Sequence, residues 1–350
     1  MASSKNTEMK IDSRADLSGD ADFATKLKAF RAIRIEHPRL LGIHKTINEL
    51  RLESRMSRGE EQNVLPIIGP TQSGKSLAIK HYVETVVANE KHPKGKIPLL
   101  SVRISPGSSL KQLQADILSP LVVDEEGKVD ETELKYGTEA IFRAKVRRYT
   151  EKRGTDAIAI DEAQHLITRN AGKTAKAVAD SIKLMAIEGA AAFIVAGVQE
   201  TWTIFQANNK QLPVRCFPPI FLNPLDFEKA DDAELFAGYV AMLDLKLVEH
   251  GLTSELSGFT DGDMVAAFWE VSGGVVGIVS RLVRVAWGYA VANGLSVIPR
   301  SYLAVATDRW AIALGLVRRN PFRDGARPAR LVKKDWAAGV PPEASEADDD

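Results

Sequence analysis

Apolar and polar positions fall into blocks along this chain, and the period of the blocks changes several times. Phe23, Leu27, Phe30 and Ile33 recur at helical spacing, and Leu41, Ile43, Ile47, Leu50 and Leu52 repeat the pattern, so both runs predict helices. Val64–Ile68 is a short, continuous apolar run stopped by Gly69, which predicts a buried strand. Next come a helix from Lys75 to about Ala88, a strand at Leu99–Ile104, a helix at Leu110–Leu118 and a longer helix from about Glu131 to Lys152. A strand at Ala157–Ile160, a helix at Lys173–Glu188, a strand at Ala191–Ala196 and a short strand at Ile220–Leu222 complete this part. Strands alternating with helices predict a parallel sheet covered on both faces. After Pro224 the period is helical throughout, with runs at 231–250, 261–270, 276–293 and 299–314.

These blocks give an expected organisation. Residues 1–21 are a polar arm, 22–60 form N-terminal helices, 61–225 form an α/β core, and 226–317 form a small helical domain. Residues 318–350 lose periodicity. Seven Lys or Arg and one Asp lie between Arg318 and Lys334, then six acids and no base between Asp335 and Asp350, which reads as a charge-segregated tail.

Composition changes little in this picture. The 45% apolar content is enough for a sizeable core. A formal net charge of zero neither argues for nucleic acid nor excludes it, because local patches decide that question. The single cysteine, Cys216, forms no internal disulfide and no multi-cysteine zinc site, which fits a reducing compartment. The polar start lacks the apolar centre of a signal peptide, and no apolar run approaches the ~20 residues that cross a bilayer. A soluble protein with no membrane partner is expected.

The chemistry sits at the strand ends. Gly69-Pro70-Thr71-Gln72-Ser73-Gly74-Lys75-Ser76 matches the phosphate-binding P-loop pattern, with a strand before it and a helix after it. Glycines let backbone N–H groups close around phosphates, and the following helix, from Lys75 through Leu77, offers unpaired N–H groups to an anion. Lys75 is placed to reach the terminal phosphates and Ser76 to ligate Mg²⁺. ATP and Mg²⁺ are therefore the expected ligands. The buried run Ala157–Ile160 delivers Asp161 and Glu162 to the sheet edge where ligands bind in open α/β folds. Asp161 suits the Mg²⁺ shell, and Glu162 suits orienting the attacking water. His165 reads as a polar or packing residue. Arg215, in Gln211–Phe217 before the last strand, is either a finger for an adjacent subunit's nucleotide or a solvated loop arginine.

The order of these pieces resembles AAA+ ATPases of the initiator and loader branch: P-loop, Asp-Glu, a strand ending at Gly197, an arginine before the last strand, then a helical lid. More narrowly it resembles the transposition ATPases TniB and TnsC of Tn-seven-like and related elements. The stretches that carry this are Ile67–Ala78, Ser101–Arg103, Lys111–Leu113, Ile160–Leu166, Ile194–Gly197, Gln211–Phe217 and Gly273–Gly277, within residues 40–310. The resemblance implies an AAA+ P-loop three-layer parallel-sheet core with a small C-terminal helical lid. It implies a slow, DNA-linked ATPase that oligomerises on duplex DNA as a hexameric ring or helical filament. Such a protein links a target-selector protein to a DDE transposase, in a bacterial cytoplasm and on the nucleoid when DNA-bound. It assigns DNA-backbone contact to Lys111, with Arg103 and Lys128 as further candidates. An ordinary exposed lysine in a first helical turn is the other reading of Lys111. Two departures bear on turnover. Val198 follows Gly197 where relatives often carry Thr, and the second-sensor position near Gly277 has no arginine closer than Arg281 and Arg284. Another loader-type or secretion-associated AAA+ switch, or a nucleotide-binding signalling protein with little turnover, remains the alternative.

Overall fold

The computed structural model describes residues 21–123, 127–135, 137–167, 171–206 and 212–328. Within these residues the chain forms two compact units, one of residues 38–223 and one of 21–37 with 224–328. The arm at 1–20, the acids 124–126, Gln211 and the segment 329–350 lie outside the described residues.

The first unit is built on five parallel strands: β1 (Val64–Ile68), β2 (Leu99–Arg103), β3 (Ala157–Asp161), β4 (Ala192–Gly197) and β5 (Ile220–Phe221), in the order β2-β3-β4-β1-β5. Alternate residues of each strand face opposite layers. Val64, Ile158, Ile160, Phe193 and Val195 join the core under α4 (Leu110–Leu118), α6 (Glu139–Arg153) and α7 (Ala171–Ile187). Leu65, Ile67, Ala157, Ala159, Ala192, Ile194 and Ala196 join the core under α2 (Pro38–Met56) and α3 (Lys75–Thr85). The alanines on this second face leave room for the two helices to lie close to the sheet. The expected three-layer α/β core is what forms.

One long helix of the sequence reading is two. α5 (Glu131–Lys135) stops before Gly137, and α6 restarts with Thr138 as its cap, the hydroxyl accepting from Ile141 N at 3.4 Å. A side-chain cap ends one helix and starts another without breaking the apolar period, so periodicity ran across it.

The second unit holds α9 (Ala230–Glu249), α10 (Met264–Ser272), α11 (Val276–Ala292) and α12 (Arg300–Ala306), which continues as a π-helical stretch, Thr307–Ile312. α8 (Thr203–Gln206) belongs to the first unit. The two N-terminal helices, expected together, separate. α2 packs on the sheet, whereas α1 (Ala21–Ala32) packs in the helical unit, with Phe23 stacked on Trp287 at 5.5 Å.

The tail reading also needs correction at its start. Residues 318–328 fold onto the helical unit through α13 (Pro321–Asp324), with Phe322 buried. Arg319 Nη1 and Arg327 Nε pair with the fully buried Glu270 at 3.3 and 2.9 Å. Asn320 Nδ2 donates to Ala304 O at 2.7 Å. A single large apolar residue among arginines gives no periodic signal, and two of the arginines assigned to the tail, Arg319 and Arg327, are partners of a buried acid. Among the described residues no single helix is long and apolar enough to cross a membrane.

Candidate functional site

The β1–α3 connection is a tight loop. Gln72 (φ 66°) and Gly74 (φ 99°) adopt left-handed backbone, the latter at the cap of α3. An L-residue at Gly74 would be strained, so glycine is required there. Lys75 opens α3 and is buried. Its ammonium donates to Gly69 O at 2.7 Å and Pro70 O at 2.8 Å, with Ser73 Oγ at 3.4 Å. Burial pushes the Lys75 pKa down to about 8, against the opposing pull of the Glu162 and Asp161 carboxylates. The two acids thus lie close enough for their charge to act on Lys75. Thr71, Gln72, Ser76 and Leu77 are exposed at the loop and the first turn of α3.

Asp161 ends β3, buried, and its Oδ1 accepts from Glu162 N at 3.0 Å. Its Oδ2 has no hydrogen-bond partner among the described residues. Glu162 follows in a left-handed conformation, φ 59°, which turns its side chain sharply out of the strand direction. For a non-glycine residue this backbone is strained, and such strain clusters at functional sites.

Both Glu162 oxygens are engaged. Arg103 Nη2, at the end of β2, lies 3.4 Å from Oε1. Gln164 Nε2 donates to Oε2, while Gln164 Oε1 accepts from Val198 N at 3.3 Å. A Cβ at Gly197 would sit 2.8 Å from Gln164 Oε1 and closer still to Thr201 Oγ1, so the end of β4 has to be glycine for Gln164 to approach. The sequence reading missed Gln164. Its signal there was one amide two residues past an acid, and only the register of β4 beside β3 brings Val198 to it.

The other expected site residues are dispersed. Arg103 is 76% exposed, yet it faces Glu162 rather than standing alone. Lys111, in the first turn of α4, lays its ammonium over the Phe142 ring, 5.6 Å from the centroid. Lys128 lies in the loop between α4 and α5. Arg215 pairs with Glu61. Its neighbour Cys216 bridges Val64, at the start of β1, whereas the phosphate loop follows the end of β1. Five residues of strand, about 16 Å, separate the two. Trp202 stacks on Phe205 at 5.5 Å and packs against the core. Burial raises the pKa of the Cys216 thiol to about 12, and the side chain packs against the core under α4, α6 and α7.

The donor set tests the expected magnesium ion. A serine hydroxyl and a carboxylate oxygen free of other partners are hard oxygen ligands, the kind Mg²⁺ takes. Among the described residues no group of three or more His, Cys, Asp or Glu could hold a metal by itself.

Residues 57–205 match the family described as AAA domain. No curated protein matches the chain significantly. Among solved structures, the ORC2 protein of Aeropyrum pernix, in ADPNP-ADP complexes, is 14% identical with a TM-score of 0.53, covering 81% of this chain and 71% of that one. Cdc6p from Pyrobaculum aerophilum is 11% identical with a TM-score of 0.56, covering 81% and 70%. The fold is that of AAA+ P-loop proteins.

Proposed function

We propose that this AAA-domain chain is an ATPase that uses nucleotide to assemble on duplex DNA as a regulator of transposition. The observation that carries the ATPase reading is the loop lysine after β1 lying within reach of the charge of two carboxylates at the tip of β3, two strands away in the sheet. Backbone N–H groups of Gly69–Ser76 and the start of α3 would hold the phosphates of ATP, with Lys75 leaving the Gly69 and Pro70 carbonyls for the terminal phosphate oxygens. Ser76 and Asp161 would hold Mg²⁺, whose charge neutralises the phosphates. Glu162 orients the attacking water. Gln164 is its positioning residue, tying the carboxylate to the backbone at the end of β4, where Val198 offers no side-chain polar group. Arg103 neutralises Glu162 from the other side, so hydrolysis is slow until that pair opens. Arg215 serves a neighbouring copy.

The transposition reading rests on the stretches shared with TniB and TnsC and on Lys111 near the start of α4. In that reading Lys111, Arg103 and Lys128 are the core's candidate DNA contacts, and the partners are a DDE transposase and a target selector. Its discriminator from a loader-type switch of the same fold is gene neighbourhood: a DDE transposase gene beside this one supports it. The direct experiment is nucleotide binding, phosphate release and electron microscopy with duplex DNA. Lys75→Ala should lose nucleotide binding and assembly. Glu162→Gln should keep binding and lose hydrolysis by roughly 100-fold to 10,000-fold. A wild-type chain that neither binds ATP nor assembles with DNA ends the reading.

A further inference from the structure

The helical unit carries a charged feature of its own. From Ser272 to Thr307 the chain contains Arg281, Arg284 and Arg300 and no acid. Arg300 is taken by Asp263. Arg281 and Arg284 lie one turn apart on the same side of α11 and have no carboxylate partner among the described residues. Two other elements bring charge to that side. Phe30 of α1 packs on Trp287 of α11, ring centroids 5.6 Å apart, and Arg31 follows in the last turn of α1. The π-helical stretch sets Trp310 under the Arg281 guanidinium, 5.9 Å from the ring centroid, and Arg309 over Tyr289 of α11 at 5.5 Å.

Arg31, Arg281 and Arg309 are exposed, and Arg284 is half-buried. Burial first, then the charges of Arg281 and Arg31, depress the Arg284 pKa, and no acid opposes them. A half-buried guanidinium among like charges is unfavourable by itself, since desolvation and repulsion act together. It becomes favourable when an anion covers it. The guanidinium fork matches phosphate oxygens two at a time, and rings beneath it fix its plane. Cations spread over three elements suit a row of phosphates better than one isolated anion.

We infer that this face of the helical unit, Arg31, Arg281, Arg284 and Arg309 framed by Trp310 and Tyr289, binds the phosphodiester backbone of duplex DNA, separately from any contact made by Lys111. The contact is independent of base sequence and strongly salt-dependent.

The test is anisotropy of a labelled random-sequence duplex with the full chain across a salt series. Arg281→Ala/Arg284→Ala should flatten the slope of log affinity against log salt by roughly 2, about 1 for each lost phosphate contact, and weaken binding equally on unrelated sequences. Lys111→Ala should add its own loss to that of the double variant. Thermal unfolding, read on the same samples, should match wild type, so that a flattened slope reports lost phosphate contacts and not a lost fold. An unchanged slope in the double variant overturns the inference. So does an unchanged slope together with lost binding of a peptide of residues 335–350, which would assign the face to an acidic segment. Failure of phosphate release in wild type would sink the ATPase reading and leave this one standing.

Discussion

Lys75 concentrates the chemistry of the nucleotide site in one ammonium group. Its pKa near 8 lies below the ordinary lysine value of 10.5 because burial penalises the charge more than Glu162 and Asp161 favour it. The unfolded chain therefore binds more protons than the folded one between those values. Burying the charge costs roughly 3 kcal/mol of stability below about pH 8, and the cost fades as pH rises towards 10.5. A triphosphate brings several negative charges to the same ammonium and restores its proton. Nucleotide binding at about pH 9, inside that window, should then take up close to one proton. Calorimetry in two buffers of different ionisation heat measures it. Lys75→Met should abolish the uptake, and equal heats in both buffers for wild type would refute the shift. The lysine was legible in the sequence, because its role follows from the glycine spacing around it. Its altered proton affinity was not, since that depends on how deeply the loop folds and on acids 86 and 87 positions away.

At the scale of elements, α2 is held to the sheet by a buried ionic cluster. Arg51 is fully buried and donates to Glu90 twice, at 2.7 and 2.8 Å, to Tyr82 Oη at 2.9 Å and to Asp156 at 3.1 Å. Arg55 and Arg58, one and two turns on, reach the same Asp156 carboxylate at 2.7 and 3.1 Å. Burial alone would lower the Arg51 pKa, but hydrogen bonds to Glu90 and Tyr82 hold it above the ordinary arginine value. Removing one member orphans the others. Arg51→Met should cost about 3 kcal/mol in urea unfolding, and adding Glu90→Met should cost less than the sum of the two single changes. Strict additivity would show that the pair is not coupled. This cluster marks where sequence reading ends. Arginines at i, i+4 and i+7 look like a solvated helix face, and nothing local shows that Asp156 and Glu90 wait beneath it. The same holds for Glu270, which turns the supposed tail arginines 319 and 327 into anchors. Strands and most helices were legible because each is written in its own apolar period. Pairings between charges far apart in sequence have no period to read.

At the scale of the whole molecule, the role proposed for Arg215, toward a neighbouring copy, follows from where the sheet places it. It stands beside the start of β1, and the phosphate loop follows the end of that strand, about 16 Å along a rigid, buried element. A loop movement of that size would break the bridge between Cys216 and Val64 that ties this segment to the start of β1. Yet the segment faces outward. Val214, next to Arg215, is 83% exposed, an apolar side chain in water at the tip of a short turn. An arginine and an apolar neighbour at one end of the sheet, and a nucleotide site at the other, would be the two halves of a head-to-tail contact between copies in the proposed assembly. Such a contact closes into a ring or runs on as a filament. In either assembly each site would borrow one arginine from the next chain. Arg215→Ala should then bind nucleotide normally and hydrolyse it at least ~1,000-fold more slowly. Glu162→Gln is inactive for the opposite reason, since its own site is dead while its arginine is intact. Mixing the two inactive variants in equal amounts should restore activity wherever an Arg215→Ala site sits against a Glu162→Gln neighbour. Random pairing makes that about a quarter of all sites. Phosphate release from the mixture, against each variant alone, measures it. A mixture no more active than its parts would mean that Arg215 is a loop arginine held by Glu61, and that each chain works without its neighbour.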